Sequence, residues 1–250
     1  AAAVTPLKAD FTPALDDLPG LLEFLSQGGC HGVLLLGTTG EGPSFAADER
    51  IAIFRAAQSA RQSYPSLRLL AGTGAPSLEE TVALTRAAFE EGLDGAVILP
   101  PYYFRKVSDE GLFAWFSQVI QRAVPPGGLA LGYHIPPVTG IGFSLDLLAR
   151  LRESFPDRFA GIKDSSGDPE YARQLGMRFG SDLFVLTGND RLFNLALQNH
   201  AAGCITAIAN LISPALRMLW DAHQTGNPNV LLQELVSQSE HTGLIRPYLR

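Results

Sequence analysis

Lysine is scarce in this chain: Lys8, Lys106 and Lys163 are the three among 250 residues. Cysteine is scarcer still, since Cys30 and Cys204 stand far apart without CxxC spacing. Neither a disulfide scaffold nor a zinc ribbon is therefore indicated, and both read as small core residues. The five histidines show no HxH or HExxH spacing, which argues against a zinc hydrolase or a metal-dependent aldolase. A GxSxG elbow is also missing, which disfavours a serine hydrolase of the α/β type. A formal net charge of -6 without a basic stripe leaves nothing to track a phosphate backbone, so nucleic acid is not an expected partner. No apolar run approaches the roughly 18 residues a membrane span needs, so no membrane partner is expected either. Residues 1–6 are apolar but lack the basic flank of a signal peptide, and a cytoplasmic location is the expectation.

What is present is an alternation. Short β-branched apolar runs at 2–6, 32–37, 67–73, 95–100, 129–135, 159–163, 183–187 and 203–207 read as strands. Helical patterns lie between and after them, at 18–27, 47–64, 78–91, 109–123, 145–154, 169–179, 191–198 and 214–225. Ser77 before Leu78 and Ser108 before Asp109 are N-cap signals that fix two of these starts. Eight strand-then-helix units predict an α/β fold, a (β/α)8 TIM barrel over residues 1–225. An open doubly wound sheet is the competitor, with fewer strands and a phosphate loop after its first. Residues 226–250 are broken by Gly243 and Pro247 and predict a short, incomplete C-terminal helical extension. The first residue is not Met, and together these ends suggest part of a longer gene product.

In a barrel the chemistry collects where strands end. One such end is Gly161-Ile162-Lys163-Asp164-Ser165-Ser166. An ammonium on a buried strand is costly unless paired or neutralised, and the neutral amine is the form that attacks carbonyls. The plainer alternative is a lysine that pairs with Asp164 or snorkels to a rim. Gly37-Thr38-Thr39-Gly40-Glu41-Gly42 has the order GxxGxG and not that of a dinucleotide loop. It reads as a nest in which glycines admit a small carboxylate and threonines add hydroxyls. Tyr133 lies near the end of the apolar run before the lysine strand, where a phenol beside an iminium can shuttle a proton. Tyr102, Tyr103 and Phe104 suggest a lid or a subunit contact.

Taken in order, Gly37-Thr38-Thr39-Gly40-Glu41, Pro101-Tyr102-Tyr103, Tyr133-His134-Ile135-Pro136 with Thr139-Gly140, Gly161 to Asp168, Gly188-Asn189-Asp190 and Gly203-Cys204-Ile205 cover nearly the whole chain. Together they resemble the dihydrodipicolinate synthase and N-acetylneuraminate lyase family of class I, Schiff-base aldolases. The resemblance implies a TIM barrel, a homodimer or homotetramer, pyruvate or another 2-oxo acid as the covalently bound partner, an aldehyde as the second, and no cofactor or metal. It makes Lys163 the Schiff-base lysine, Tyr133 the proton shuttle with Thr38 in its relay, and Tyr103 the tyrosine reaching across a dimer interface. Thr39 with Gly40 then holds the pyruvoyl carboxylate, and Ile205 turns its backbone to the bound pyruvate. Gly188, Asp190 and Arg191 belong to the substrate-binding motif after the seventh apolar run.

Three departures bear on the substrate. Val138 stands where synthases of this family carry a carboxylate-binding arginine, and valine cannot make the bidentate pair. Arg191 follows Asp190 where neuraminate lyases carry an acid, and His134 replaces the usual asparagine. The expected activity is cleavage or formation of a C–C bond between pyruvate and an aldehyde, in a 2-keto-3-deoxy sugar acid or a 4-hydroxy-2-oxoglutarate. The alternatives are a 4-hydroxy-tetrahydrodipicolinate synthase, joining pyruvate to aspartate semialdehyde, and a non-catalytic 2-oxo-acid binding protein.

Overall fold

The computed structural model describes residues 1–226. Seven strands alternate with helices: α1 (Leu18–Gln27), β1 (Gly32–Leu35), α2 (Ala47–Arg61), β2 (Arg68–Gly72), α3 (Leu78–Glu90), β3 (Gly95–Ile98), α4 (Asp109–Ala123) and β4 (Leu129–His134). Then follow α5 (Pro136–Thr139), α6 (Leu145–Ser154), β5 (Phe159–Asp164), α7 (Pro169–Phe179), β6 (Phe184–Thr187), α8 (Phe193–Gln198), β7 (Gly203–Cys204) and α9 (Ala209–Gln224). All neighbouring strands pair in parallel, in the order β1-β2-β3-β4-β5-β6-β7. Each crossover carries a helix, as parallel pairing demands.

The first expected strand, 2–6, is reduced to one parallel bridge, Ala2 to Leu34. Its backbone still works on both sides: Ala3 N donates to Leu34 O at 3.0 Å, while Ala2 N donates to Thr206 O at 3.0 Å. The segment 1–3 thus spans from β1 to the residues just after β7. Pro6 lacks an N–H and limits how far such a ladder can run.

Capping explains several helix starts. Ser77 Oγ accepts from Glu80 N, Ser108 Oγ from Gly111 N, Ser144 Oγ from Leu147 N, and Asp168 accepts from both Glu170 N and Tyr171 N. Each such cap is worth about 1 kcal/mol. α9 begins before its expected start at Pro214 and bends at Ile212, whose φ of -126° departs from the helix. Pro214 cannot donate to the preceding turn, and that loss accommodates the bend.

The sheet packs on two sides. Leu34, Val97, Leu131, Tyr133 and Ile205 form an inner cluster, whereas Ala96, Ile98, Phe116, Val119 and Ile162 pack among the helices. Fully burying each large apolar side chain contributes roughly 1.5–3 kcal/mol. One irregularity decides where Lys163 points. β5 carries an extra residue against β4, because Ala130 pairs with Phe159 but Leu131 pairs with Gly161. Strict alternation would put residue 163 on the same side as Phe159, among the helices. The bulge lets both Phe159 and Ile162 face the helices and turns Lys163 inward.

Among the described residues no helix is long and apolar enough to cross a membrane. The expected extension at 226–250 lies, but for its first residue, outside the described residues. Cys30 and Cys204 are free thiols, each partly buried rather than deep in the core.

Candidate active site

Lys163 and Tyr133 are register partners on β5 and β4, and both side chains enter the inner cluster. Lys163 is 3% exposed and its Nζ lies 4.3 Å from the centre of the Tyr133 ring. A pairing with Asp164 does not occur, since successive residues of a strand point to opposite faces. The Asp164 carboxylate instead accepts from Ser166 N at 2.9 Å, and burial pushes its carboxyl above the ordinary range. Among the described residues no carboxylate pairs with the Lys163 ammonium.

The Tyr133 hydroxyl is 3.1 Å from Thr38 Oγ1. Burial alone would raise this phenol, but the nearby Lys163 charge and hydrogen bonds from Thr38, Ser165 and Lys163 outweigh it and hold the phenol below its ordinary value. A phenol so tuned is a fitting acid–base group. Thr38 owes its position to a sharp backbone turn. Leu36 has φ of +54° and Glu41 φ of +54°, a region most side chains avoid. A Cβ on Gly42 would lie 2.1 Å from Leu36 O, so only glycine admits that carbonyl. Gly40 is also close-set, though less tightly, 2.8 Å from Ala3 O by the same measure, and its own carbonyl accepts from Thr5 Oγ1 at 2.6 Å. Thr39 beside it is partly buried.

Gly188 follows β6 and lies against the lysine. A Cβ there would be 3.1 Å from Lys163 Cε and 1.8 Å from Ser165 Oγ. Ser165 therefore belongs to the site, hydrogen-bonded to Tyr133 and pressed on Gly188, although its sequence context singles out only its neighbour Lys163. Ile205 is buried in the same inner cluster as Tyr133, and its N–H donates to Thr187 O at 2.8 Å, leaving only the carbonyl side of its backbone to a ligand.

The remaining candidates stand further out. Asp190 is buried at the start of a short 3-10 turn, Asp190–Leu192, capped by Asn189, and Arg191 is exposed. Val138 is 54% exposed on α5. Tyr103 is 74% exposed and packs edge-on against Phe104, itself 76% exposed. Within one chain Tyr103 is thus a surface residue. His134 points the other way from Tyr133, into a buried outer cluster. Its Nδ1 accepts from Phe143 N at 2.8 Å, its ring stacks on Tyr171 at 4.3 Å, and burial lowers it to about 4.

A small cavity lies beside Thr38, Tyr133, Gly72 and Leu99. A far larger one, about 720 Å³, opens at the amino ends of the strands, past Gly32, Leu129, Phe184 and Gly203. It does not contain Lys163, so the size of a hollow is here a poor guide to the chemistry.

Comparison with known proteins agrees with the geometry. The sequence profile of the Dihydrodipicolinate synthetase family matches residues 1–239. An uncharacterized DapA-like lyase of Chloroflexus aurantiacus is 40% identical over 228 residues, covering 90% of this chain and 75% of the relative. A 4-hydroxy-tetrahydrodipicolinate synthase of Thermus thermophilus is 36% identical over 228 residues, covering 90% and 74%. Among solved structures, the pyruvate complex of YagE, a prophage protein of E. coli K12 belonging to the dihydrodipicolinic acid synthase family, superposes with a TM-score of 0.90 at 26% identity, covering 98% of this chain and 83% of that one.

Proposed function

The chain belongs to the Dihydrodipicolinate synthetase family, as a class I lyase or aldolase, and we propose that it acts through an imine between Lys163 and pyruvate. The observation that carries this reading is the buried Lys163 ammonium, facing Tyr133 and without a carboxylate partner among the described residues. In its neutral form the amine attacks the 2-oxo carbon, giving a carbinolamine. Tyr133, relayed by Thr38, supplies the proton with which water leaves, and an iminium remains. In cleavage, a base takes the proton of the hydroxyl beyond the scissile bond. The C–C electrons move to the iminium, so that an aldehyde departs and an enamine stays on Lys163. Protonation of the enamine carbon and addition of water release pyruvate. Condensation is the reverse.

Thr39 and Gly40 are proposed to hold the pyruvoyl carboxylate, with Ile205 and Gly188 lining the three-carbon unit. Asp190 and Arg191 would meet the rest of the substrate. The full fold in this reading is a (β/α)8 barrel, with residues 1–3 as its eighth strand; their hydrogen bonds to both Leu34 and Thr206 support this. A homodimer or homotetramer is part of the reading, supported by the exposed Tyr103–Phe104 pair, which a partner's site would cover. Cytoplasmic location accords with two unpaired thiols.

The favoured substrates are 2-keto-3-deoxy sugar acids or 4-hydroxy-2-oxoglutarate, because Val138 offers no carboxylate clamp. The Thermus relative keeps a second reading in play, condensation of pyruvate with aspartate semialdehyde. A screen of hydroxylated 2-oxo acids for pyruvate release, beside that condensation, separates the two. Cleavage faster than condensation is expected, with both lost in Lys163→Ala; full activity in that variant would remove the imine mechanism.

A further inference from the structure

The rim of this site carries a cation that the chemistry above leaves unused. Gly140 follows α5 with φ of +67°, and a Cβ built on it would lie 2.7 Å from Cδ and 3.4 Å from Nε of Arg105. Arg105 therefore lies across the end of α5, the short turn that exposes Val138. The positive φ favours glycine at that position, and the close approach marks where the Arg105 stem lies. Nine arginines pair with carboxylates, but Arg105 has no such partner among the described residues. Lys106 is exposed beside it, in a chain with a net charge of -6.

Position makes this cation relevant to the substrate. Arg105 lies in the loop after β3, α5 follows β4, and Lys163 is near the end of β5; these are three consecutive strands with their carboxyl ends on one side. With neighbouring strands about 4.8 Å apart, β3 and β5 are separated by roughly 10 Å, a gap that an arginine stem and an extended imine-bound chain can close together. A guanidinium there presents a fork of donors suited to a carboxylate or a phosphate.

We propose that Arg105 is a specificity-determining residue that recognises an anionic group at the far end of the aldehyde partner. The idea rests on the imine reading, and it narrows the substrate to a 2-oxo acid whose aldehyde half carries its own carboxylate or phosphate. Val138, exposed on the same short helix, supplies no competing charge.

The test is condensation of pyruvate with glyoxylate and with D-glyceraldehyde 3-phosphate, against neutral glycolaldehyde and D-glyceraldehyde. It uses the whole protein and the variants Arg105→Gln, Arg105→Lys and Arg191→Gln. The ratio of kcat/KM for anionic over neutral aldehydes is expected to fall about 10- to 100-fold in Arg105→Gln, with partial recovery in Arg105→Lys. The larger loss, on glyoxylate or on the triose phosphate, identifies which anion is read. Added salt should lower the ratio in the parent protein and barely move it in Arg105→Gln. An unchanged ratio in Arg105→Gln, a fall in Arg191→Gln instead, or a parent preference for neutral aldehydes overturns the proposal. Borohydride trapping of pyruvate on each variant keeps the two ideas apart: a trapped adduct with an unchanged ratio sinks only the role of Arg105, and no adduct in the parent protein sinks both.

Discussion

Lys163 Nζ stands 4.3 Å from the centre of the Tyr133 ring, and the two residues are register partners on adjacent parallel strands. The positive amine therefore helps to hold the phenol below its ordinary value. Replacing Lys163 with Met removes the charge but keeps the stem, so burial should regain control and the Tyr133 phenol should rise. An ultraviolet difference titration of Lys163→Met against the parent, with Tyr133→Phe marking the signal, reads this directly. A phenol titrating lower in the variant would mean that the ammonium does not stabilise it.

Tyr133→Phe removes the hydroxyl that meets Thr38 at 3.1 Å. Loss of a positioned proton donor typically costs 10²–10⁴ in rate, so kcat should fall by about 100-fold or more while KM changes little. Steady-state kinetics on any accepted 2-oxo acid checks this, and an unaltered kcat would exclude Tyr133 from the proton path.

Gly188→Ala should disable the site without unfolding the protein. Its new methyl group would fall 1.8 Å from Ser165 Oγ and 3.1 Å from Lys163 Cε, so both side chains must shift. Small misplacements of a nucleophile cost on the order of 100-fold in rate. Adding Ser165→Ala removes the nearest overlap, and the double variant should outperform Gly188→Ala. Equal or lower activity in the double variant would show that the Gly188–Ser165 contact is not what matters.

His134 makes stability depend on pH. Burial lowers the ring to about 4, the Asp168 carboxylate opposing this only in part, whereas the unfolded value is about 6.5. As pH falls through this interval the unfolded chain takes up the proton first, so the folded state loses stability from about pH 6.5 down towards 4. The full loss from this one group is on the order of 3 kcal/mol. In His134→Asn the slope over that interval should flatten, as measured by urea unfolding at several pH values. Parallel curves for parent and variant would contradict the burial of a neutral ring.

His200, just beyond α8, is exposed and holds φ of +67°. Left-handed backbone costs a residue with a Cβ roughly 1–2 kcal/mol, partly offset in glycine by its freer unfolded chain. His200→Gly should therefore stabilise the protein by about 0.5–1 kcal/mol, seen as a higher denaturant midpoint. A lower midpoint would mean that the histidine side chain makes a stabilising contact.

Much of this architecture was written in local pattern. α1, α4, α6 and α7 span the residues their apolar periodicity delimits, and each strand falls within its apolar run except β5, which runs one residue further, to Asp164. α5 was not legible, because Pro136-Pro137 reads as a turn and its short helical turn depends on the carbonyl of Ile135, which accepts from Thr139 N. The inward aim of Lys163 was not legible either, since it follows from a bulge against β4 that no single strand encodes. Lys163, Tyr133 and Thr38 could be singled out from strand ends and family likeness, and the fold brings those three together. Ser165 and the tight fit of Gly188 emerge only from contacts between β5 and the loop after β6. Tyr103 was readable as a surface contact, though nothing in one chain brings it to the lysine.

The most direct test is borohydride reduction in the presence of pyruvate, followed by intact mass and peptide mapping. The account predicts one added pyruvate-derived group per chain, as the reduced secondary amine, on Lys163 and on neither Lys8 nor Lys106. An unchanged mass, or a label on another residue, would contradict it.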